Sequence, residues 1–137
     1  MTILGKISVR KFKPKTVKTG IETTMRKMDL QEAFVEQNPN LSKLQEECKG
    51  KQLSINVTFY LNENTPDKTS YKKDLDNLLK ILMDVIKEEM DDDDKKIGLG
   101  LVIGNKDEEI FEIICHKEFV QSEDEEGIDL VLSEWHR

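Results

Sequence analysis

The spacing of hydrophobic residues along this 137-residue chain predicts both strands and helices. The clearest strand runs from Leu53 to Leu61, where apolar and polar residues alternate. The strongest helix covers about residues 75–90, because its apolar residues follow the i, i+3, i+4, i+7 spacing of an amphipathic helix. Weaker patterns predict strands over 7–12, 97–103, 110–115 and 128–132, and helices over 22–37 and 41–48.

These elements together indicate an α+β protein. The helix over 22–37 places Met25, Met28 and Phe34 near helical spacing. Since no repeat and no linker interrupts the chain, we expect one domain over residues 1–137. Its sheet should be mixed or antiparallel, with the helices packed on one face.

Composition excludes several classes of protein. No apolar run approaches the roughly 18 residues that a membrane span needs, and residues 1–6 lack the organisation of a signal peptide. Cys48 and Cys115 cannot alone form a disulfide framework or a zinc site. We therefore expect both cysteines to act as small hydrophobic residues in a reducing compartment, and the protein to be cytoplasmic.

The charge of the chain is unevenly distributed. The net charge is −7, yet residues 1–30 contain eight lysines and arginines against two acidic residues. Binding to DNA phosphates depends on the electrostatic field at the contact surface and not on the net charge of the whole chain. A basic N-terminal segment can therefore bind DNA although the rest of the chain is acidic.

The segment that begins the strongest helix contains candidate catalytic residues. Asp74 and Asp76 lie two positions apart where the chain enters the helix, and Lys80 follows one turn later on the same face as Asp76. The helix N-terminus favours ionised carboxylates, which suit Mg²⁺, and a lysine there can stabilise charge on a phosphodiester. Aspartates before a helix are also typical of an N-cap with surface charge, so the spacing alone leaves both interpretations open.

A third carboxylate would complete a metal site, and chain geometry narrows the choice. The helix over 75–90 would extend roughly 24 Å, which carries the acidic run 91–94 to the end farthest from Asp74. A strand over 97–103 would return the chain by about 23 Å. Asp107 would then arrive near Asp74, whereas we interpret 91–94 as a solvated loop.

The chain resembles the RusA-type Holliday-junction resolvases at this segment. The family has a basic stretch followed by D-L-D-N-L-x-K at the start of a helix, and residues 72–80 match it throughout. Asp84 matches an aspartate that is usual later in that helix. Residues 107–117 resemble the family's acidic pair, aliphatic strand and lysine, and residues 127–132 resemble its closing strand.

The resemblance implies a RusA-like fold and a Mg²⁺-dependent endodeoxyribonuclease that resolves four-way DNA junctions in recombination and repair. It implies that Asp74, Asp76 and a third aspartate hold Mg²⁺, with Mn²⁺ as a substitute, and that Lys80 is the catalytic lysine. Asp107 is the preferred third ligand and Asp94 the runner-up. The protein would be a homodimer cutting symmetric strands. DNA binding would depend on Arg10, Lys11, Lys13, Lys15, Lys72 and Lys73.

Other functions remain open from the sequence. Pro66-Asp67 followed by Asp94-Lys95-Lys96 resembles the PD-(D/E)xK nuclease pattern, although a loop is the wrong place for its first half. From another class, the protein could be a non-catalytic acidic binding module with a resolvase-like fold, in which residues 123–126 face a basic partner. His116 and His136 predict no nucleophilic triad, and Trp135 is expected as a late core anchor or a dimer contact.

Overall fold

The structure is a computed structural model, and it describes residues 2–14, 20–64, 75–87, 89–90, 96–102 and 109–136. The strands are β1 (Thr2–Arg10), β2 (Leu53–Asn62), β3 (Glu89–Met90), β4 (Lys96–Ile97), β5 (Ile110–Val120) and β6 (Gly127–Glu134). The helices are α1 (Gly20–Gln37), α2 (Leu41–Cys48) and α3 (Leu75–Ile86), and a 3₁₀ turn spans Glu123–Glu125.

Four strands form one mixed sheet in the order β1-β6-β2-β5. β6 is antiparallel to both β1 and β2, whereas β2 and β5 are parallel. β3 and β4 form a separate two-stranded hairpin. The sequence therefore predicted the α+β class and the mixed sheet correctly.

One face of the sheet packs against all three helices in a single hydrophobic core. The alternation along β2 buries its apolar residues on this face, which is the arrangement its period of two predicts. The fully buried strand and helix side chains include Ile7, Phe34, Leu53, Ile55, Leu61, Leu82, Ile86 and Leu130. Among the described residues, no helix is long and apolar enough to cross a membrane.

The inward face of α1 differs from the one its methionines suggest. Phe34 is buried, but Met25 and Met28 are 60% and 62% exposed. Leu30 and Phe34, four positions apart, form the buried stripe instead. The helical spacing therefore predicted the helix correctly, but the face that carries Met25 and Met28 is exposed and does not pack on the core.

The predicted strand over 97–103 is wrong for its described residues beyond Ile97, because β4 ends at Ile97 and residues 98–102 are not in a strand. α3 ends at Ile86, and the chain after β4 folds back on that end, where Leu99 and Leu101 donate backbone hydrogen bonds to the carbonyls of Val85 and Ile86. Gly98 makes the close approach with φ +94, since a Cβ there would lie 1.9 Å from a carbonyl oxygen of residue 87. The geometric reason for preferring Asp107 over Asp94 depended on that strand and is lost; both aspartates lie outside the described residues.

The outer edge of β1 is covered by two side-chain amides, that of Gln37 at the end of α1 and that of Asn38 just after it. The amide of Asn38 accepts from the Ser8 N–H at 3.0 Å and donates to the Ser8 carbonyl at 2.8 Å. Gln37 contacts the N–H and carbonyl of Arg10 in the same way, at 2.8 and 3.0 Å. Each amide therefore replaces one residue of a neighbouring strand, which protects an edge that could otherwise pair with another chain.

We expect Asn38→Ala to lower the free energy of unfolding by about 2–3 kcal/mol, because Asn38 is buried and also donates to the Phe34 carbonyl at 2.8 Å. The matched control Gln37→Ala should cost less than about 1 kcal/mol, since water can replace an exposed amide. Urea denaturation of both variants measures the difference. Equal losses of unfolding free energy in the two variants would contradict the prediction, because they would show that burial adds nothing to the hydrogen bonds of Asn38.

Candidate functional site

The parallel pairing of β2 with β5 sets the position of α3. Parallel neighbours need a crossover that carries the chain back over the sheet, and α3 lies in that crossover. Leu78 and Ile81 of α3 line a small cavity together with Phe59 and Ile128. The N-terminus of α3 therefore lies towards the carboxyl end of β2.

Asp76 and Lys80 lie on the side of α3 that faces away from the core. Both are exposed, whereas Leu78 and Leu82 between and beyond them are buried. Asp76 is in the first helical turn, where the helix dipole stabilises a negative charge. Lys80 follows four residues later, so a carboxylate and an ammonium are presented one turn apart on the same exposed surface.

The basic end of β1 lies at this same end of the sheet. Phe12 and Pro14 line the cavity that Leu78 lines, so the segment after Arg10 packs beside the first half of α3. Lys11 is exposed and has a left-handed backbone with φ 56, which is uncommon for a residue with a Cβ. Lysines and the α3 N-terminus therefore occupy one region of the surface.

Asp76 and Lys80 do not line the cavity beneath this region. That cavity holds about 10 Å³, room for about one water molecule, and most of its lining is apolar. It is therefore not a site for a ligand of Asp76 and Lys80, which are reached from the outside of the protein.

Arg10 is part of a polar cluster on the open face of the sheet. Its guanidinium lies 2.9 Å from the Asp129 carboxylate and 4.5 Å from the centre of the Tyr60 ring. Ser8 and Tyr60 each donate a hydrogen bond of 2.8 Å to Asp129, and the Lys6 ammonium lies 3.5 Å away. The charge of Arg10, which we expected to meet DNA, is thus already paired with a carboxylate.

The environment of Asp129 favours its ionised form. Burial by itself raises the pKa of Asp129, but hydrogen bonds from Ser8, Tyr60 and Arg10, with the positive charge of Arg10, outweigh it and lower that pKa. Burial and the hydrogen bond to Asp129 raise the pKa of Tyr60. The sequence analysis missed this cluster: alternation assigned all these residues to polar faces, but only the strand register brings them together.

Asp84, which matches the resolvase pattern, joins two helices. Its carboxylate lies 2.7 Å from the Lys27 ammonium of α1 and 3.9 Å from the ammonium of Lys87. Lys87 is buried, so this pair lies partly out of water. Asp84 therefore fixes the position of α3 against α1 at a distance from Asp76.

The acidic run 123–126 divides into two environments. Glu123, Asp124 and Glu125 form the exposed 3₁₀ turn, which fits a solvated surface. Glu126 is buried, and its Oε2 atom has no hydrogen-bond partner among the described residues. Sequence reasoning missed this carboxylate because it treated residues 123–126 as one run that could face a basic partner.

The cysteines and His116 have structural surroundings. Cys48 and Cys115 are free thiols, and burial raises the pKa of Cys48 to about 11. His116 lies within β5, which continues past the predicted strand end at residue 115, and its Nε2 atom is 3.1 Å from the Thr58 hydroxyl. The ring of Trp135 stacks on Phe111 with centroids 4.7 Å apart, at the surface and not in the core.

Several predicted site residues lie outside the described residues, namely Lys15, Lys72, Lys73, Asp74, Asp94 and Asp107. Within the described part of the chain, no three histidine, cysteine, aspartate or glutamate side chains form a group that could hold a metal ion. The structure thus describes Arg10, Lys11, Lys13, Asp76 and Lys80 of the predicted site.

Comparison with known proteins finds no match, either to a protein-family model or to a curated protein. The resemblance to the RusA-type resolvases therefore depends on the residues of this chain, above all on the motif at 74–80. The described part of that motif, residues 75–80, begins α3 with its charged side chains exposed.

We expect Asp129→Asn to lower the free energy of unfolding at neutral pH by about 1–3 kcal/mol. The reason is that Ser8 and Arg10 would then face a neutral amide in place of a charged acceptor. Since the pKa of Asp129 is lowered in the folded protein, its stabilisation is present above the ordinary value of 3.8 and is lost as the pH falls below it. Urea denaturation at stepwise lower pH should show the two proteins converging. Asp124→Asn, at an exposed position, is the control and should cost little; a deficit of Asp129→Asn that persists unchanged in acid would contradict the assignment.

Proposed function

We propose that this protein is a Mg²⁺-dependent, structure-selective endodeoxyribonuclease that resolves four-way DNA junctions. The observation that carries the proposal is the D-L-D-N-L-x-K motif at the start of α3, with Asp76 and Lys80 exposed one turn apart. Both side chains are exposed, so a macromolecule that lies across the surface can reach them together.

The residues of the motif fit a magnesium site. Mg²⁺ prefers carboxylate oxygens and keeps several waters, which suits exposed aspartates at a helix N-terminus. Asp74, Asp76 and a third carboxylate, Asp107 or Asp94, would hold the ion, and Mn²⁺ would substitute for it. A bound ion of this kind supplies a nucleophilic water and neutralises charge on the scissile phosphate.

Lysine side chains would contact the DNA phosphates beside the ion. Lys80 would lie against the scissile phosphate and stabilise the negative charge that develops on the phosphate oxygens during cleavage. Lys11 and Lys13, at the neighbouring end of β1, would hold the DNA backbone, with Lys15, Lys72 and Lys73 as further proposed contacts. Two copies related by a two-fold axis would cut symmetric strands of the junction.

We expect Asp76→Asn to reduce cleavage of a synthetic four-way junction by at least about a hundredfold, because the amide is a poor ligand for a hard cation. Wild type should cut near the branch point with Mg²⁺, should not cut with a chelator, and should spare a matching linear duplex. Because Asp76 is exposed, the thermal midpoint should not change. Asp124→Asn is the matched control and should cut normally; full activity of Asp76→Asn would refute the proposal.

Lys80→Met separates catalysis from binding. We expect the single-turnover cleavage rate to fall by about a hundredfold, since a positive charge beside the reacting phosphate is lost. Junction affinity in a gel-shift assay should change little, because one contact among several is removed. Lys43→Met, at an exposed lysine of α2, should leave both quantities unchanged; a Lys80 variant that loses affinity but not rate would make Lys80 a DNA contact only.

One outcome would favour the second candidate, a non-catalytic acidic binding module. The exposed turn Glu123–Glu125 offers three carboxylates to a basic partner. A protein that neither binds nor cuts junctions, and is indifferent to Mg²⁺, would fit that function. Junction binding without cutting would instead indicate a resolvase-like protein that has lost its chemistry.

A further inference from the structure

Glu126 is a buried carboxylate whose hydrogen bonding is incomplete. The residue is 2% exposed, and its Oε2 atom has no hydrogen-bond partner among the described residues. Burying an unpaired carboxylate is costly, so buried charges in proteins are paired or coordinate metal ions. The guanidinium of Arg26 lies 5.4 Å from the centre of the nearby Phe12 ring, but within the described part of the chain it forms no ion pair with Glu126. The free oxygen therefore offers a place for a cation.

The side chain of Glu126 points to the face of the sheet that the helices cover. The backbone of Glu126 is extended, with φ −62 and ψ 142, so the alternation of β6 continues through this residue. Ile128, two positions later, is buried on the helix side of the sheet and lines the cavity that Leu78 also lines. Glu126 therefore has the same orientation as Ile128.

Glu126 and the N-terminus of α3 both lie beyond that cavity, in the same direction. Gly127 pairs with Tyr60, so Glu126 is at the carboxyl end of β2. Two residues of strand carry the chain about 6.6 Å past Ile128 towards that end. The helix α3 begins three residues before Leu78, which places its start about 4.5 Å further in the same direction. The carboxylate therefore lies on the sheet side of the first turn of α3.

Asp76 approaches the same place from the helix. It belongs to the first turn of α3, and the Cα–Cβ bonds of a helix are tilted towards its N-terminus. The exposed carboxylate of Asp76 and the buried carboxylate of Glu126 thus lie on either side of the helix start. Mg²⁺ commonly binds one or two carboxylates and completes its coordination with water, so two carboxylates from two elements are sufficient to hold it.

The two aspartates proposed as third ligands are joined to described residues elsewhere in the fold. Ile110, three residues after Asp107, pairs with Leu53 at the amino end of β2. Ile97, three residues after Asp94, belongs to the β3–β4 hairpin beyond the C-terminus of α3. Three residues of chain span at most about 11 Å, whereas the ten residues of β2 extend about 30 Å. Glu126, by contrast, has its described backbone at the end where α3 begins.

We propose that Glu126 is a ligand of the divalent ion at the N-terminus of α3, so that the sheet and the helix each supply a carboxylate. The presence of the ion rests on the proposed function, whereas the residue assigned to it lies outside the D-L-D-N-L-x-K motif. Glu126 would hold the ion against the protein, and the exposed side chains of Asp76 and Lys80 would remain accessible to the phosphate. The ion would also compensate the negative charge that folding buries at Glu126.

Binding of Mn²⁺ to the full chain without DNA tests the assignment separately from cleavage. Electron paramagnetic resonance measures the Mn²⁺ that remains free. Glu126→Gln should raise the dissociation constant by about tenfold or more, because the amide keeps the shape of the side chain but is a poor ligand for a hard cation. Glu125→Gln, at the exposed neighbouring position, is the matched control and should bind Mn²⁺ as wild type does. Equal affinities of Glu126→Gln and wild type would overturn the proposal.

Nuclear magnetic resonance of the wild-type protein locates the ion without any substitution, and so decides the matter even if Glu126→Gln does not fold. Substoichiometric Mn²⁺ should broaden the amide signals of Asp76 and Gly127 first, because paramagnetic relaxation falls steeply with distance. The signals of Ile97 and Ile110 should persist. Earlier loss of either of these two signals would place the ion elsewhere and overturn the proposal.

Failure of this inference is distinguishable from failure of the proposed function. Mn²⁺ binding that Asp76→Asn weakens and Glu126→Gln does not would overturn the inference and leave the nuclease standing. An ion site that needs Glu126, in a protein that does not cut junctions, would keep the ligand assignment and count against the nuclease alone. A wild-type protein that binds no Mn²⁺ at millimolar concentration would overturn both.

Discussion

The parallel pairing of β2 with β5 is the constraint on which the rest of this structure depends. Two parallel neighbours cannot be joined by a tight turn, so the chain must cross the sheet between them, and α3 crosses it. This crossing buries Leu82 and Ile86 against the sheet and leaves Asp76 and Lys80 outside. β2 is occupied on both sides, by β5 and β6, and in the described sheet β5 is an edge strand because it pairs with β2 alone. The position of the candidate site therefore follows from the pairing of β2 with β5.

Local patterns were sufficient to predict the elements on which this arrangement is built. The alternation in β2 and the apolar stripe of α3 are strong, and β2 formed where the sequence placed it. The helix α3 begins where predicted but ends at Ile86, and Met90, which the pattern assigned to the helix, lies in β3. The strand prediction for the segment after Ile97 was wrong, because an alternation of apolar residues is equally compatible with a chain that packs around the end of α3. Gly98 favours packing around α3 over a strand, because it lies so close to the backbone of residue 87 that a Cβ would not fit there. The local sequence cannot show that contact.

Side-chain partners across the sheet could not be predicted for a related reason. Asp129 contacts Ser8 and Arg10, which lie more than a hundred positions earlier in the chain, and Asn38 contacts Ser8 from the end of a helix. A period of two tells which face each residue occupies, but not which residues stand opposite one another. Of the candidate site, the sequence could therefore give the motif at 74–80 and the charge of the N-terminal segment, but not the pairing that occupies Arg10.

That pairing changes how the protein would hold DNA. Asp129 offsets the charge of Arg10 on the open face, so the basic surface beside α3 narrows to the segment that begins with Lys11. A small number of phosphate contacts gives weak binding to ordinary duplex and a modest dependence on salt. Affinity for a junction would then come from engaging two arms at once, since joining two weak sites raises affinity without any new contact. The proposed two-fold dimer would supply that second site, and selectivity of the proposed nuclease for branched DNA would follow from the spacing of the two α3 N-termini and not from base recognition.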